Sequence, residues 1–353
     1  MRPLFAAAAA SALVTVPLLG LPGLAGSAAA ADSDGESLAF TMTDPRITES
    51  SGLAASRLHK GVYWTHNDSD DGPYVYAVDS ATGKTVATVT MRGVGRPRDV
   101  EAISIGPDGD IYVGDIGDNL GGSWPYVWIY RFPEPKRLAD ETVKATQYVV
   151  KYDAGPRNAE AMMVDPRTGR VWIASKNEDG GALYEGPAKL SSAGTNVFRR
   201  TADIPLWITD GAFSPDGSRL VLRGYFGALM YRWSDGTPHR IDQMHVPLQR
   251  QGEAVTFTTD GRDLMYGSEG EDSEVYRVPL TGDDRPDDVR KAGASPSGSS
   301  SGSGSGAQAA GDGSDGVGPR SMGQFAVGAL TIAALAAIVV AGRRLLRRGR
   351  RPS

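Results

Sequence analysis

The chain has no cysteine and only four histidines among its 353 residues. Disulfide bonds, thiolate metal sites and cysteine redox chemistry are therefore excluded. The four histidines are scattered, and none of them forms a His-x-x-x-His pair of the kind that binds zinc on a helix. No glycine-rich loop follows a strand and opens a helix, so the sequence gives no indication of a nucleotide-phosphate loop.

Acidic residues are missing from both ends of the chain, because all 42 lie between Asp32 and Arg320. Eight of the 37 basic residues lie outside residues 32–319, which leaves 29 basic against 42 acidic residues in that segment, a net charge of −13. An acidic surface disfavours nucleic acid as a partner and is compatible with cation binding.

Residues 1–31 have the pattern of a secretory signal peptide. Arg2 supplies the positive start, and Leu4–Leu24 is a long apolar stretch. Ala29–Ala31 supplies the small residues of a cleavage site, so the mature chain is expected to begin at Asp32.

The C-terminal segment 321–342 predicts a transmembrane helix, since 21 successive residues from Met322 carry no charge. As a helix this run is about 31 Å long, enough to span a bilayer. Six arginines follow in the tail 343–353, which should stay cytoplasmic. The preceding segment 282–320, rich in Gly and Ser, predicts a flexible tether. We therefore expect a single-pass plasma-membrane protein with its body outside.

After a leader at residues 32–37, the body 38–281 contains one motif five times, at intervals of 50, 59, 50 and 43 residues. Each copy begins with an acidic or hydroxyl residue, a small residue and a short apolar strand. The copies begin at Ser51, Glu101, Glu160, Asp210 and Glu253. Repeats at this spacing are typical of propellers and arrays.

Tight turns such as Gly106–Gly109 follow the first strands, with glycine at the position that needs a positive φ. Second, third and fourth strands can be placed after them, except that the fifth copy lacks a fourth strand. The unassigned strand Leu38–Thr43 can fill that place and close the ring. The prediction is an all-β, five-bladed β-propeller with four-stranded blades, plus the C-terminal transmembrane helix.

Closure of five blades should bring the heads of the first strands to one mouth of the central channel. Carboxylates gathered there cannot all stay ionised without a cation, and Ca²⁺ accepts 6–8 oxygen ligands. The predicted metal ligands are Ser51, Glu101, Glu160, Asp210 and Glu253. The alternative is structural, in which each acid caps its own strand or pairs with a neighbouring arginine.

Candidate ligand-binding residues lie in loops at the same mouth. Arginine precedes each of three glutamates by three positions, and polar loops such as 66–71 and 115–119 join the second strands to the third. The ligand-binding candidates are Arg98, Arg157, Arg250, Asp115, Asp118 and Asn119. Asp115 and Glu269 are weak candidates for activating a water molecule.

The order of Ser, Glu, Glu, a further polar residue and Glu along the five copies resembles the calcium-activated apyrases. The closest stretch is Val100–Ile105 followed by Ile111–Gly117. The resemblance implies a five-bladed propeller with one central Ca²⁺, and metal ligands at Ser51, Glu101, Glu160 and Glu253. The chain has Ala102 where apyrases carry an aromatic residue, and it lacks their insertions around the nucleotide. The Ser-Pro-Asp-Gly turn also resembles generic WD40-like and TolB-like repeats.

Two functions remain open from the sequence. The first is a cell-surface binding module that presents its polar face to a cell-envelope ligand or protein. The alternative is a Ca²⁺-dependent hydrolase of phosphate or other esters. Arginines directed into the mouth would favour the hydrolase, whereas arginines folded back on the glutamates would favour the binding module.

Overall fold

The computed structural model describes residues 35–68 and 71–293 of the chain. The predicted signal peptide, the transmembrane helix, the arginine tail and most of the tether lie outside the described residues. Within the described part, no helix is both long enough and apolar enough to cross a membrane.

The described residues form 21 strands, one short α-helix and one 3-10 turn. In chain order the strands are β1 Ser37–Thr41, β2 Ser50–Ala55, β3 Val62–Asn67, β4 Tyr74–Asp79, β5 Lys84–Arg92, β6 Val100–Ile105, β7 Asp110–Asp115, β8 Val127–Pro133, β9 Glu141–Lys144, β10 Thr146–Tyr152, β11 Ala159–Val164, β12 Val171–Ser175, β13 Gly181–Glu185, β14 Thr195–Ile204, β15 Ile208–Phe213, β16 Arg219–Gly224, β17 Gly227–Ser234, β18 Thr237–Met244, β19 Gly252–Phe257, β20 Asp263–Ser268 and β21 Glu274–Pro279. The turn is Gly282–Asp284, and the helix α1 is Asp287–Gly293.

The strands pair in four sheets. Their orders are β2-β3-β4-β5-β9, β6-β7-β8-β10-β14-β13-β12-β11, β15-β16-β17-β18 and β19-β20-β21-β1. The eight-stranded sheet contains two antiparallel runs of four strands, joined through the parallel pair of β10 and β14. β1 is antiparallel to β21, so the predicted partner of the N-terminal strand is confirmed.

The first strands of these runs lie side by side around a central channel. β2 neighbours β6, β6 neighbours β11, β11 neighbours β15, β15 neighbours β19, and β19 returns to β2. Each pair of consecutive runs encloses an apolar cluster, five in all within the described residues. In one of them the rings of Trp172 and Trp233 meet edge to face with centroids 4.8 Å apart. The arrangement is that of a β-propeller, in which sheets pack face to face around an axis.

The turn residues behave as the sequence predicts. Gly109, Gly169, Gly217 and Gly261 all have φ between 68° and 79°, in the left-handed region where a side chain is disfavoured. These glycines recur at the connection between the first and second strands of the repeats, which is why the turn motif could be recognised from the sequence.

Two elements were not expected from the sequence. β9 adds a fifth strand to the first sheet by pairing in parallel with β5. Residues 282–293, predicted as the start of the tether, instead form the 3-10 turn and α1. Arg219 is fully buried and anchors this segment, because its guanidinium donates to the carbonyl of Asp283 and pairs with Asp287 at 2.9 Å.

We expect Gly83→Ala to destabilise the fold at the contact where β1 meets the first sheet. Gly83 has φ +69°, and an added Cβ would overlap the carbonyl oxygen of Thr41. Gly109→Ala is the matched control, because Gly109 has φ +79° but no heavy atom within 4 Å of the added Cβ. The control should cost about 1–2 kcal/mol from backbone strain. Gly83→Ala should cost at least about 1 kcal/mol more, measured by denaturant unfolding. Equal losses would mean that the contact with β1 does not contribute.

Candidate metal centre

The heads of the first strands are irregular in the same way. In β2, β6 and β11 the pairing with the second strand skips one residue, and the skipped residues are Ser51, Glu101 and Glu160. β19 shows a wider irregularity that includes Glu253. Such a bulge redirects a side chain out of the regular alternation. All four of these residues are 1–2% exposed, so the bulges deliver polar groups into a buried mouth.

The fourth copy differs from the sequence prediction by one residue. The bulge in β15 falls at Thr209, not at Asp210. Thr209 is fully buried and donates to the carbonyl of Glu253 at 2.9 Å. Asp210 accepts hydrogen bonds from the amides of Gly211 and Val255, at 2.7 and 2.8 Å. Its carboxylate therefore caps two neighbouring strands, as the structural alternative proposed.

One side of the mouth is neutralised by a lysine that the prediction missed. Lys176 follows β12, and its Nζ lies 2.8 Å from a carboxylate oxygen of Glu160 and 2.9 Å from the hydroxyl of Tyr225. Burial lowers the pKa of Lys176, but the charges of Glu160 and Glu253 outweigh burial and hold it well above its ordinary value. Lys176 is therefore a fixed positive charge at this mouth.

The other side of the mouth holds the acidic cluster, which we define as Asp68, Asp99 and Glu101. Each offers one carboxylate oxygen, and these oxygens all lie within 4.8 Å of one another. Ser51 donates its hydroxyl to the second oxygen of Glu101 at 3.0 Å. Asn119 donates to Asp99 at 3.3 Å, so two neutral groups border the cluster.

Electrostatics in the cluster oppose full ionisation. Burial, and then the charge of Asp99, raises the pKa of Asp68 well above its ordinary value. Burial raises the pKa of Glu101 in the same way, with added repulsion from Asp68 and Glu160. Asp99 is also raised by burial, against a hydrogen bond to Asp68 that lowers its pKa. The cluster therefore needs either protons or a cation.

Gly117 leaves room beside the cluster. A Cβ on this glycine would lie 2.6 Å from a carboxylate oxygen of Asp99 and 2.7 Å from an oxygen of Glu101. Any larger residue would push into the space that these oxygens face. An all-oxygen donor set around such a space fits a hard cation such as Ca²⁺.

The predicted arginines do not contact the glutamates that follow them. The guanidinium of Arg98 lies over the rings of Trp124 and Trp128, at 3.9 and 3.7 Å from their centroids. That of Arg157 stacks on Tyr184 at 4.6 Å and donates to a backbone carbonyl. Cation–π packing has therefore drawn these two side chains to aromatic rings.

Three of the other candidate residues are engaged in hydrogen bonds, and the fourth is exposed. Asp115 accepts from the amide of Asp99 at 2.9 Å and from a tyrosine hydroxyl at 2.6 Å, so it holds the loop before β6. Asp118 accepts from Ser123 within its own loop. Glu269 is hydrogen bonded by Gln251, which also reaches Glu253 at 3.2 Å. Arg250 is exposed.

No protein-family model matches this chain, and no curated protein does. Similar solved structures include a gluconolactonase from Xanthomonas campestris, with 12% identity, a TM-score of 0.42, and coverage of 70% of this chain and 89% of that one. A PQQ-bound aldose sugar dehydrogenase from Streptomyces coelicolor has 11% identity, a TM-score of 0.41, and coverage of 69% and 97%. At these values the likenesses carry no argument about the activity of this chain. These comparisons do not show the similarity to apyrases that the sequence suggested.

The raised pKa values predict a pH dependence. A carboxyl whose pKa is higher in the folded protein than in the unfolded chain stabilises the fold when protonated, and this stabilisation is lost as the pH rises. With a chelator present, the free energy of unfolding should fall progressively as the pH rises above about 4, the ordinary pKa of a carboxyl group in the unfolded chain. Urea unfolding at pH 5 and pH 8 measures this, and Glu101→Gln should lose less stability than the parent chain between the two. An identical pH dependence in both proteins would mean that Glu101 ionises normally.

Proposed function

We propose that this chain is a membrane-anchored, extracytoplasmic five-bladed β-propeller that binds one divalent cation of the Ca²⁺ type. Its role is that of a cell-surface binding module for a cell-envelope ligand or protein. The acidic cluster at the channel mouth carries this proposal: three carboxylates, largely removed from water, have converging oxygens, while the neighbouring Lys176 is engaged by Glu160.

The count of five blades is supported by the circuit of five first strands and by the five apolar clusters between consecutive runs. In this interpretation the eight-stranded sheet is two blades whose outer strands touch, and β9 is an addition to the first blade. The fourth strand of the last blade is β1, which ties the start of the body to its end.

The proposed ligands differ from those expected from the sequence. Asp68, Asp99 and Glu101 supply three oxygens, and Ca²⁺ would complete its usual 6–8 with water and neutral oxygens such as that of Ser51. Glu160 is held by Lys176 instead. The resemblance to the calcium-activated apyrases supports a cation at this mouth, although only Ser51 and Glu101 are common to the two ligand sets.

Calcium at about 100 times its dissociation constant should raise the free energy of unfolding of the full chain by about 2.7 kcal/mol. Gly117→Ala should weaken Ca²⁺ binding at least tenfold in calorimetry, because its Cβ would crowd Asp99 and Glu101 without changing any charge. Gly194→Ala is the control, since a Cβ there meets nothing within 4 Å.

Two results would contradict the cation site. The first is an unfolding free energy that Ca²⁺ leaves unchanged, and the second is full Ca²⁺ affinity in Gly117→Ala. In either case the cluster would be kept neutral by protons, and the binding face would have to be sought elsewhere.

The binding role is preferred to the hydrolase because of the arginines. A hydrolase of phosphate esters needs a cation that faces the metal and is free to hold the anionic group. Arg98 and Arg157 are instead stacked on aromatic rings, Lys176 is bound to Glu160, and Arg250 is exposed at the surface. Ca²⁺-dependent release of phosphate from nucleoside triphosphates by the purified chain would overturn this choice.

The location is proposed from the sequence ends. The signal peptide at 1–31 and the arginines after residue 342 give a body outside the cell and a cytoplasmic C-terminus. Protease added to intact cells or protoplasts should release a soluble fragment by cutting the Gly/Ser tether. A body that stays protected, with the tail cut, would reverse the orientation.

A further inference from the structure

A cavity lies at the end of the channel away from the acidic cluster. The cluster and its neighbours occupy the heads of the first strands, whereas this cavity, of about 350 Å³, is lined by the later residues of all five first strands and the turns after them. Its volume falls at the lower end of the range of small-molecule pockets, roughly 300–1,000 Å³. This cavity has no part in the proposed cation site.

Most of the residues that line the cavity are apolar, while polar atoms supply the larger share of its exposed surface. It includes Leu53, Ile103, Val164 and Phe257, each 2–4% exposed, and the partly buried Phe213. Small residues keep the space open between these side chains, because Ala55 and Ala212 also line it. The apolar atoms that remain open to solvent in this wall favour an apolar part in the ligand through the hydrophobic effect.

Arg57 adds a positive charge at the same cavity. The carboxylates near its guanidinium have other partners: Glu134 accepts from Ser56, from Trp64 and from the backbone amide of Arg57, and Asp108 pairs with Arg131 at 2.7 Å. Within the described residues, no ion pair or side-chain hydrogen bond joins the Arg57 guanidinium to another residue. A guanidinium in this state is matched by a carboxylate, which it can bind through two parallel hydrogen bonds.

Hydroxyl groups complete the wall. Ser104 accepts a hydrogen bond from the amide of Val164 at 3.2 Å, which leaves its own proton for a ligand. Thr256 is 8% exposed and lines the cavity from the neighbouring first strand. A few convergent polar groups within an apolar wall are the usual composition of a small-molecule site.

We propose that this end of the channel binds a small amphiphilic carboxylate, with its apolar body against the partly buried Ala55, Ala212 and Phe213 and its carboxylate on Arg57. The cation site and this site are separate, so either can fail without the other. A calcium result therefore does not decide this proposal.

The test uses the full chain in phosphatidylcholine nanodiscs and two fluorine-labelled probes of equal size. These probes are 4-(trifluoromethyl)benzoate and the neutral 4-(trifluoromethyl)benzyl alcohol, followed by ¹⁹F NMR line broadening. The benzoate should bind with a dissociation constant of about 1 mM or tighter, as expected for a ligand of this size. It should bind at least tenfold more tightly than the alcohol.

Variants separate the two halves of the proposal. Arg57→Gln should weaken benzoate binding at least tenfold and leave the alcohol unchanged. Lys60→Gln, a loss of the same charge at an exposed residue that does not line the cavity, should change neither. Ala55→Leu and Ala212→Leu should each abolish binding of both probes by filling the cavity. Partitioning of the probes into lipid is the same for parent and variant in equal nanodiscs, so it cancels in the difference between them.

Three outcomes would overturn the proposal. Broadening that persists in both cavity-filling variants would place the probes elsewhere. Benzoate affinity unchanged in Arg57→Gln would remove the carboxylate from the ligand class. Absence of broadening by the benzoate at millimolar concentration would mean that the cavity is no ligand site.

Discussion

Lys176 faces more buried carboxylates than one amine can neutralise. Its Nζ is bound to Glu160, and the charges of Glu253 and Glu101 also act on it. Asp68 and Asp99 add to the negative charge that surrounds Glu101. Ionised carboxylates taken out of water must be paired, protonated or bound to a metal. The chemistry of this face follows from how the remaining charge is balanced.

The strand bulges explain why that charge is buried at all. A regular strand would alternate its side chains between the two faces of its sheet. The extra residue at the head of β2, β6 and β11 instead sends Ser51, Glu101 and Glu160 out of that alternation, at the same point of each repeat. The apolar clusters between the sheets hold the strands in place. The packing of the propeller therefore keeps these buried acids close together despite their mutual repulsion.

Much of this arrangement could be predicted from the sequence, since turns and apolar alternation are local signals. Glycines with positive φ marked the hairpins, and the repeated small residue after each acid marked the first strands. The one-residue offset between Asp210 and the bulge has a local cause, because a bulge shifts the register by one residue and leaves no compositional trace. A hydroxyl residue is equivalent to an acidic one at this position, as Ser51 shows in the first copy, so Thr209 matches the pattern as well as Asp210 does.

The acidic cluster and the arginine positions could not be predicted, because both depend on contacts between separate loops. Asp68 and Asp99 come from the loop after β3 and the segment before β6, and only the propeller brings them together. A three-residue spacing between Arg98 and Glu101 permits an ion pair but does not require one. The rings of Trp124 and Trp128 both offer Arg98 a cation–π contact, with centroids within 4 Å of its guanidinium.

The same five strands carry opposite chemistry at their two ends, and the bulges account for the difference. Beyond the bulge, each strand returns to regular pairing and to the apolar residues of the repeat, so the channel changes from buried carboxylates to a wall containing Leu53 and Phe257. A cation at the heads of the strands would be held by carboxylate charge. A ligand at the other end would be held by apolar contacts and by the charge of Arg57. The strands between the two ends are packed against apolar clusters on both faces, which fixes the separation of the two ends. The propeller can therefore hold two chemically unlike sites on one set of strands.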